Sequence, residues 1–157
     1  MKHLLIFISF LLLVSKGSYS QVHNIHPVSY IFNPNSDASQ DIMNATAKAM
    51  AEHKHVCMLI GGDWSYWSRL FYNTLSGGKD GKYVEEKYVI VVVNFSPANK
   101  NARLIDSLGC PKDQGYPIIM ILDEKGKKLH MQNTDEYKLW QKWYDEEAIL
   151  NMLKKWS

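Results

Sequence analysis

Cysteine is scarce: the 157-residue chain holds two, Cys57 and Cys110. That is too few for a disulfide framework, and the two stand too far apart in sequence for a metal knuckle. Charge of one sign is not in excess either, with 18 Lys and Arg against 16 Asp and Glu, interspersed, for a net charge of +2. A face for nucleic-acid phosphates needs clustered cations, so nucleic acid is not an expected partner; Lys154-Lys155 reads as the exposed side of a helix terminus. No apolar run reaches the ~20 residues of a membrane span. The longest, Leu4 to Val14, follows a basic start at Met1-Lys2-His3 and precedes small residues at Gly17, Ser18 and Ser20. This pattern reads as a signal peptide over residues 1–20, cut before Gln21, with export to the periplasm or the medium as its consequence. A retained N-terminal segment is the alternative, and the sole route to a membrane. Repeats and low-complexity stretches are missing as well. What remains is an N-terminal extension over 21–35 and one domain over 36–157, with room for one sizeable core.

Within that domain, Ala38, Ile42, Ala45 and Ala49 recur at helical spacing behind a cap at Ser36 or Asp37, predicting a helix to about Lys54. Val56 to Ile60 is an unbroken apolar run closed by Gly61-Gly62, as a strand buried on both faces requires. A second helix is predicted from Ser65 to about Leu75, ended by Ser76-Gly77-Gly78 and Lys79-Asp80-Gly81. Tyr88 to Asn94 is the strongest strand signal. Lys100 to Leu108 reads as a helix, Pro117 to Leu122 and Lys128 to Met131 as a hairpin across Asp123-Glu124-Lys125-Gly126, and the chain from Asp145 as a helix with Ile149, Met152, Leu153 and Trp156 on one stripe. Gln132 to Tyr144 has no clear pattern, and a short extended piece is placed at Val28 to Phe32. The order implies an α/β fold: a mixed, mostly parallel sheet of four to five strands covered by helices on both faces.

Between the first strand and the second helix stands Gly61-Gly62-Asp63-Trp64-Ser65-Tyr66-Trp67-Ser68-Arg69-Leu70. With cysteines for the two serines, this segment closely resembles the active-site motif of the thioredoxin-like family, in its exported W-C-x-W-C branch. Gly115-Tyr116-Pro117-Ile118-Ile119 resembles the family's cis-proline segment, and Ile121 to Lys127 its hairpin; the likeness runs from Asn33 to Trp156. It implies a three-layer thioredoxin-like sandwich with the motif at a helix N-terminus.

A helix N-terminus favours a thiolate, and a second thiol one turn later resolves a mixed disulfide. Ser65 and Ser68 can do neither, since an alcohol is not ionised near neutral pH and forms no reversible bond of that kind. The strand before the motif, Met58-Leu59-Ile60, also lacks the buried acid that many thioredoxins carry. A serine nucleophile needs a base, yet His23, His26, His53, His55 and His130 all lie away from the motif in this topology. Ser65 is better read as the helix cap. His53-x-His55 has no further ligands to complete a metal site, so neither metal nor cofactor is expected. Cys57 reads as a buried core thiol, and Cys110 as a candidate thiol in the loop leading to Pro117.

The aromatics point to a retained surface. Trp64, Tyr66 and Trp67 flank the serines and Tyr116 precedes Pro117; in the family this surface takes an extended peptide by strand addition. Trp67 is assigned to packing, Tyr66 and Tyr116 to partner contact. The leading expectation is an exported domain with S-x-x-S in place of C-x-x-C, redox-inactive, holding a peptide or protein partner at Trp64, Tyr66, Trp67, Tyr116 and Pro117. The alternative is a periplasmic thiol-disulfide oxidoreductase, seen as a Cys-to-Ser form or working through Cys110.

Overall fold

The computed structural model of the protein describes residues 30–79, 81–111 and 115–157. The expected signal peptide, most of the extension, and His23 and His26 lie outside them. Helix α1 (Ala38–Glu52) starts where the Asp37 carboxylate accepts from the Gln40 N–H, and it ends at His53, whose φ of 54° is left-handed. Strand β1 (His55–Gly61) follows, then α2 (Tyr66–Gly77), α3 (Gly81–Lys87), β2 (Tyr88–Asn94), α4 (Ala102–Ser107), β3 (Ile118–Leu122) and β4 (Lys128–Asn133). A 3-10 turn (Asp135–Tyr137) leads into a short ribbon, β5 (Lys138–Leu139) and β6 (Trp143–Tyr144), and the chain closes with α5 (Glu146–Lys155). No strand forms at Tyr30–Phe32, the described part of the expected extended piece, but Phe32 is buried in the core.

The four-stranded sheet has the order β2-β1-β3-β4. Its strands alternate cleanly between two cores, as a period of two demands. Cys57, Leu59, Ile119 and Ile121 face one core, closed by Phe71 and Leu75 of α2, Val84 of α3, and Ile149, Met152 and Leu153 of α5. Val56, Met58, Ile60, Val89, Val91 and Val93 face the other, under Ala45 and Ala49 of α1 and Ile105 of α4. The expected layering of helices on both faces of a mixed sheet is therefore present.

Two expectations are corrected. The sheet is not mostly parallel: β1 pairs with β2 in parallel, but with β3 antiparallel, and β3 with β4 antiparallel. The six residues of α4 span only about 9 Å, against about 23 Å for a seven-residue strand. Helix α4 alone is thus too short to carry the chain back along β2, and the register places the start of β3 at the end where β2 stops, running back from there. The second correction is α3, a further helix after the breakers, absent from the expected order of elements. Val84 is its one fully buried side chain, too little to produce a readable period.

This topology decides where chemistry can sit. The register pairs Ile60 with Val93 and with Ile118, so the ends of β1 and β2 and the start of β3 meet. The Gly61–Ser65 turn, the loop after Asn94 and Pro117 converge there.

Candidate functional site

Ser65 is the N-cap of α2: its φ and ψ of −94° and 117° are extended, and its Oγ accepts from the Ser68 N–H at 3.2 Å. Ser68 lies beneath, 0% exposed, with its Oγ unpartnered among the described residues. It presses on the turn so closely that a Cβ on Gly61 would stand 2.5 Å from that Oγ; only glycine fits. Asp63 tethers the incoming chain, accepting from the Phe32 N–H at 3.4 Å through Oδ2, while its carbonyl accepts from the Arg69 guanidinium.

To one side of the serines, the Trp64 indole N–H donates to the Phe95 carbonyl at 2.6 Å. The Tyr116–Pro117 peptide bond is cis, the geometry that the family resemblance implies. The Tyr116 ring stacks on Phe95 (4.4 Å between centroids, 16°) and meets Trp64 edge-on (6.2 Å, 76°). Trp64, Tyr116 and Pro117 are thus brought together, with Phe95 as a fourth member that the sequence reading missed. Its only signal was its position directly after a strand that had to end beside the motif.

On the other side, Tyr66 and Trp67 make an edge contact (5.5 Å). Trp67 turns inward, edge-on to Tyr144 (5.1 Å), with Lys138 Nζ 4.5 Å from its ring centroid. Tyr66 stays half exposed, although its hydroxyl donates to the Lys142 carbonyl at 3.0 Å. Lys138, Lys142 and Tyr144 belong to the stretch that lacked a readable pattern.

The two thiols are free and lie in different cores, Cys57 on one face of the sheet and Cys110 on the other. Burial pushes the Cys57 thiol up to about 12. Cys110 is 6% exposed; burial raises its thiol too, with the Lys128 cation pulling the other way. Tyr116 is likewise raised, by burial first and then by the neighbouring Cys110. His55 opens β1, at the far end of the strand from the motif, and its ring leans on Tyr88 (6.2 Å). His53 is the α1 cap, off the strand, so the two do not share a strand face. His130 stacks on Trp156 (4.8 Å) and bonds to Gln132. Among the described residues no three His, Cys, Asp or Glu side chains gather as a metal site. Chemically the site offers a capped helix N-terminus, a buried hydroxyl, and aromatic faces on either side.

No protein-family model matches the chain, and no curated protein does. Solved structures do. The disulphide isomerase of Xylella fastidiosa Temecula1 superposes with a TM-score of 0.70 at 19% identity, over 82% of this chain and 97% of that one. A DsbH oxidoreductase superposes with a TM-score of 0.52 at 18% identity, over 90% of this chain and 93% of that one. The fold is the thioredoxin fold.

Proposed function

We propose that this chain is an extracytoplasmic thioredoxin-fold domain that holds an extended peptide or protein segment beside Tyr116–Pro117 and performs no dithiol exchange. The observation that carries this reading is the state of the two motif hydroxyls. Ser65 Oγ is engaged in capping α2, and Ser68 Oγ is sealed under the helix. Both stand where the resemblance places the thiols. A bound segment would lie across the exposed ring of Trp64 and the partly buried ring of Tyr116, with backbone hydrogen bonds at residue 116 as in strand addition. Export is supported by the Leu4–Val14 pattern, and the peptide-binding role by the aromatic ring set beside the cis-proline. Cys110 is a poor replacement nucleophile, because a buried thiol with a raised pKa supplies little thiolate.

The test is insulin-disulfide reduction by the native chain beside a Ser65→Cys, Ser68→Cys double variant. The expected result is a silent native chain and an active variant, with Trp64→Ala and Tyr116→Ala weakening the capture of unfolded polypeptide by the native chain. Turnover by the native chain, abolished by Cys110→Ala, would instead establish the oxidoreductase reading.

A further inference from the structure

Asp135 lies between the two aromatic sides of the motif and divides its carboxylate between them. Oδ1 is held by the Lys138 ammonium, which itself sits 4.5 Å from the centroid of the Trp67 ring. Oδ2 faces the backbone that leads into the cis peptide bond, where a Cβ on Gly115 would stand 3.2 Å from it. This placement is built into the sheet. The Asp135 N–H donates to Asn133 Oδ1 at 3.1 Å, and Asn133 pairs with Ile118 across the β3–β4 ladder. Gly115 is not among the residues with a left-handed φ, so its lack of a side chain matters here for space and not for backbone conformation. Among the described residues Oδ1 has its partner and Oδ2 has none.

We propose that Asp135 sets the side-chain preference of the groove. The segment held beside Tyr116–Pro117 carries a lysine or arginine at, or next to, the position bonded to residue 116, and that cation meets Asp135 Oδ2. The inference rests on the peptide-holding reading above and gives its partner a chemistry. Distance permits the contact. Adjacent Cα atoms are about 3.8 Å apart and an added strand lies about 4.8 Å from its neighbour, a gap that the flexible stem of a lysine covers.

The molecule already holds one lysine in this manner, since the Lys138 amine is placed between Oδ1 and the Trp67 ring. The Asp135 side chain remains 53% exposed, open to a second cation. Two other nearby cations are turned elsewhere: the Arg69 guanidinium donates to the Asp63 carbonyl, and Lys128 Nζ to the Leu108 carbonyl at 3.1 Å. Glu136, bonded to Gln132, adds a second negative charge on the same turn. A glutamate or aspartate at that position of the segment would bring like charge against Oδ2, so the same carboxylate that attracts a basic segment rejects an acidic one.

The experiment is fluorescence anisotropy of two end-labelled, extended peptides on the full chain, identical except for a central lysine in one and a central glutamate in the other. The native chain is compared with Asp135→Asn and with Tyr116→Ala, all checked for native circular dichroism. The expected result is tighter binding of the lysine peptide by the native chain, with a preference that shrinks as salt is raised. Asp135→Asn is expected to weaken the lysine peptide about fivefold without weakening the glutamate peptide, whereas Tyr116→Ala weakens both. Equal affinity of the native chain for the two peptides, or a lysine preference that Asp135→Asn leaves intact, would overturn the role of Asp135 while the groove reading stands. Binding of neither peptide, or binding indifferent to Tyr116→Ala, would overturn the groove reading, and the role of Asp135 with it.

Discussion

Two serines one helical turn apart have opposite energetic standing. Ser65 satisfies a backbone N–H that would otherwise be an orphan at the start of α2, and Ser65→Ala is expected to lower stability by about 1 kcal/mol. Ser68 buries a hydroxyl without a partner among the described residues, which costs about 1–3 kcal/mol relative to a satisfied one. Ser68→Ala removes that penalty while opening little space, so it is expected to be neutral or to raise stability by about 1 kcal/mol. Urea denaturation of both variants measures the pair, and a large loss for Ser68→Ala would reveal a partner for its hydroxyl. The cap was legible in the sequence because serine before a helix has a local meaning. The orphan was not, since it depends on the Gly61 turn lying against the side chain.

At the scale of elements, α2 is aimed by its surroundings as much as by its cap. The turn before it survives only with glycine, because a Cβ on Gly61 would also sit 3.0 Å from Ser68 Cβ. Gly61→Ala is expected to cost about 1–3 kcal/mol as an overpacked site, and pairing it with Ser68→Gly should recover part of the loss in a double-mutant cycle. The β5–β6 turn holds strain of another kind. Replacing Gln141, at φ 54°, by glycine is expected to raise stability by about 0.5–1 kcal/mol, as relief of a left-handed conformation, and thermal unfolding would show it. Strands β1 and β2 were legible as unbroken apolar runs, and helices α1 and α5 because each carries its own apolar period and its own cap. Helix α3 and the ribbon were not: α3 buries one valine, and the ribbon's strands are two residues long, too short for any period.

Across the whole molecule, the sheet separates two cores and with them the two thiols. Cys57 holds its proton in the folded chain well above its ordinary value of 9.0, up to about 12, and burial raises Tyr88 as well. The unfolded thiol releases its proton first as pH rises. The stability from Cys57 is therefore complete below about pH 9 and is lost between about pH 9 and 12, at up to about 1.4 kcal/mol per pH unit. A falling urea midpoint over that alkaline range, made shallower by Cys57→Val, is the expected outcome. Iodoacetamide at neutral pH is expected to leave Cys57 unmodified until the chain unfolds.

By itself the sequence determined the strands written as unbroken apolar runs and the helices whose apolar period and caps lie within a few residues of one another. It also determined that no thiol stands at either motif position, since residue type alone decides that. Only the tertiary structure decided that β3 runs antiparallel to β1, that Phe95 stacks on Tyr116, that Cys110 is buried opposite Cys57, and that Ser68 is sealed without a partner among the described residues. It also decided that Leu139, Trp140 and Trp143 face outward. Each of these depends on residues far apart in the chain packing against one another, and a pattern confined to one turn or one strand carries no record of what will cover it.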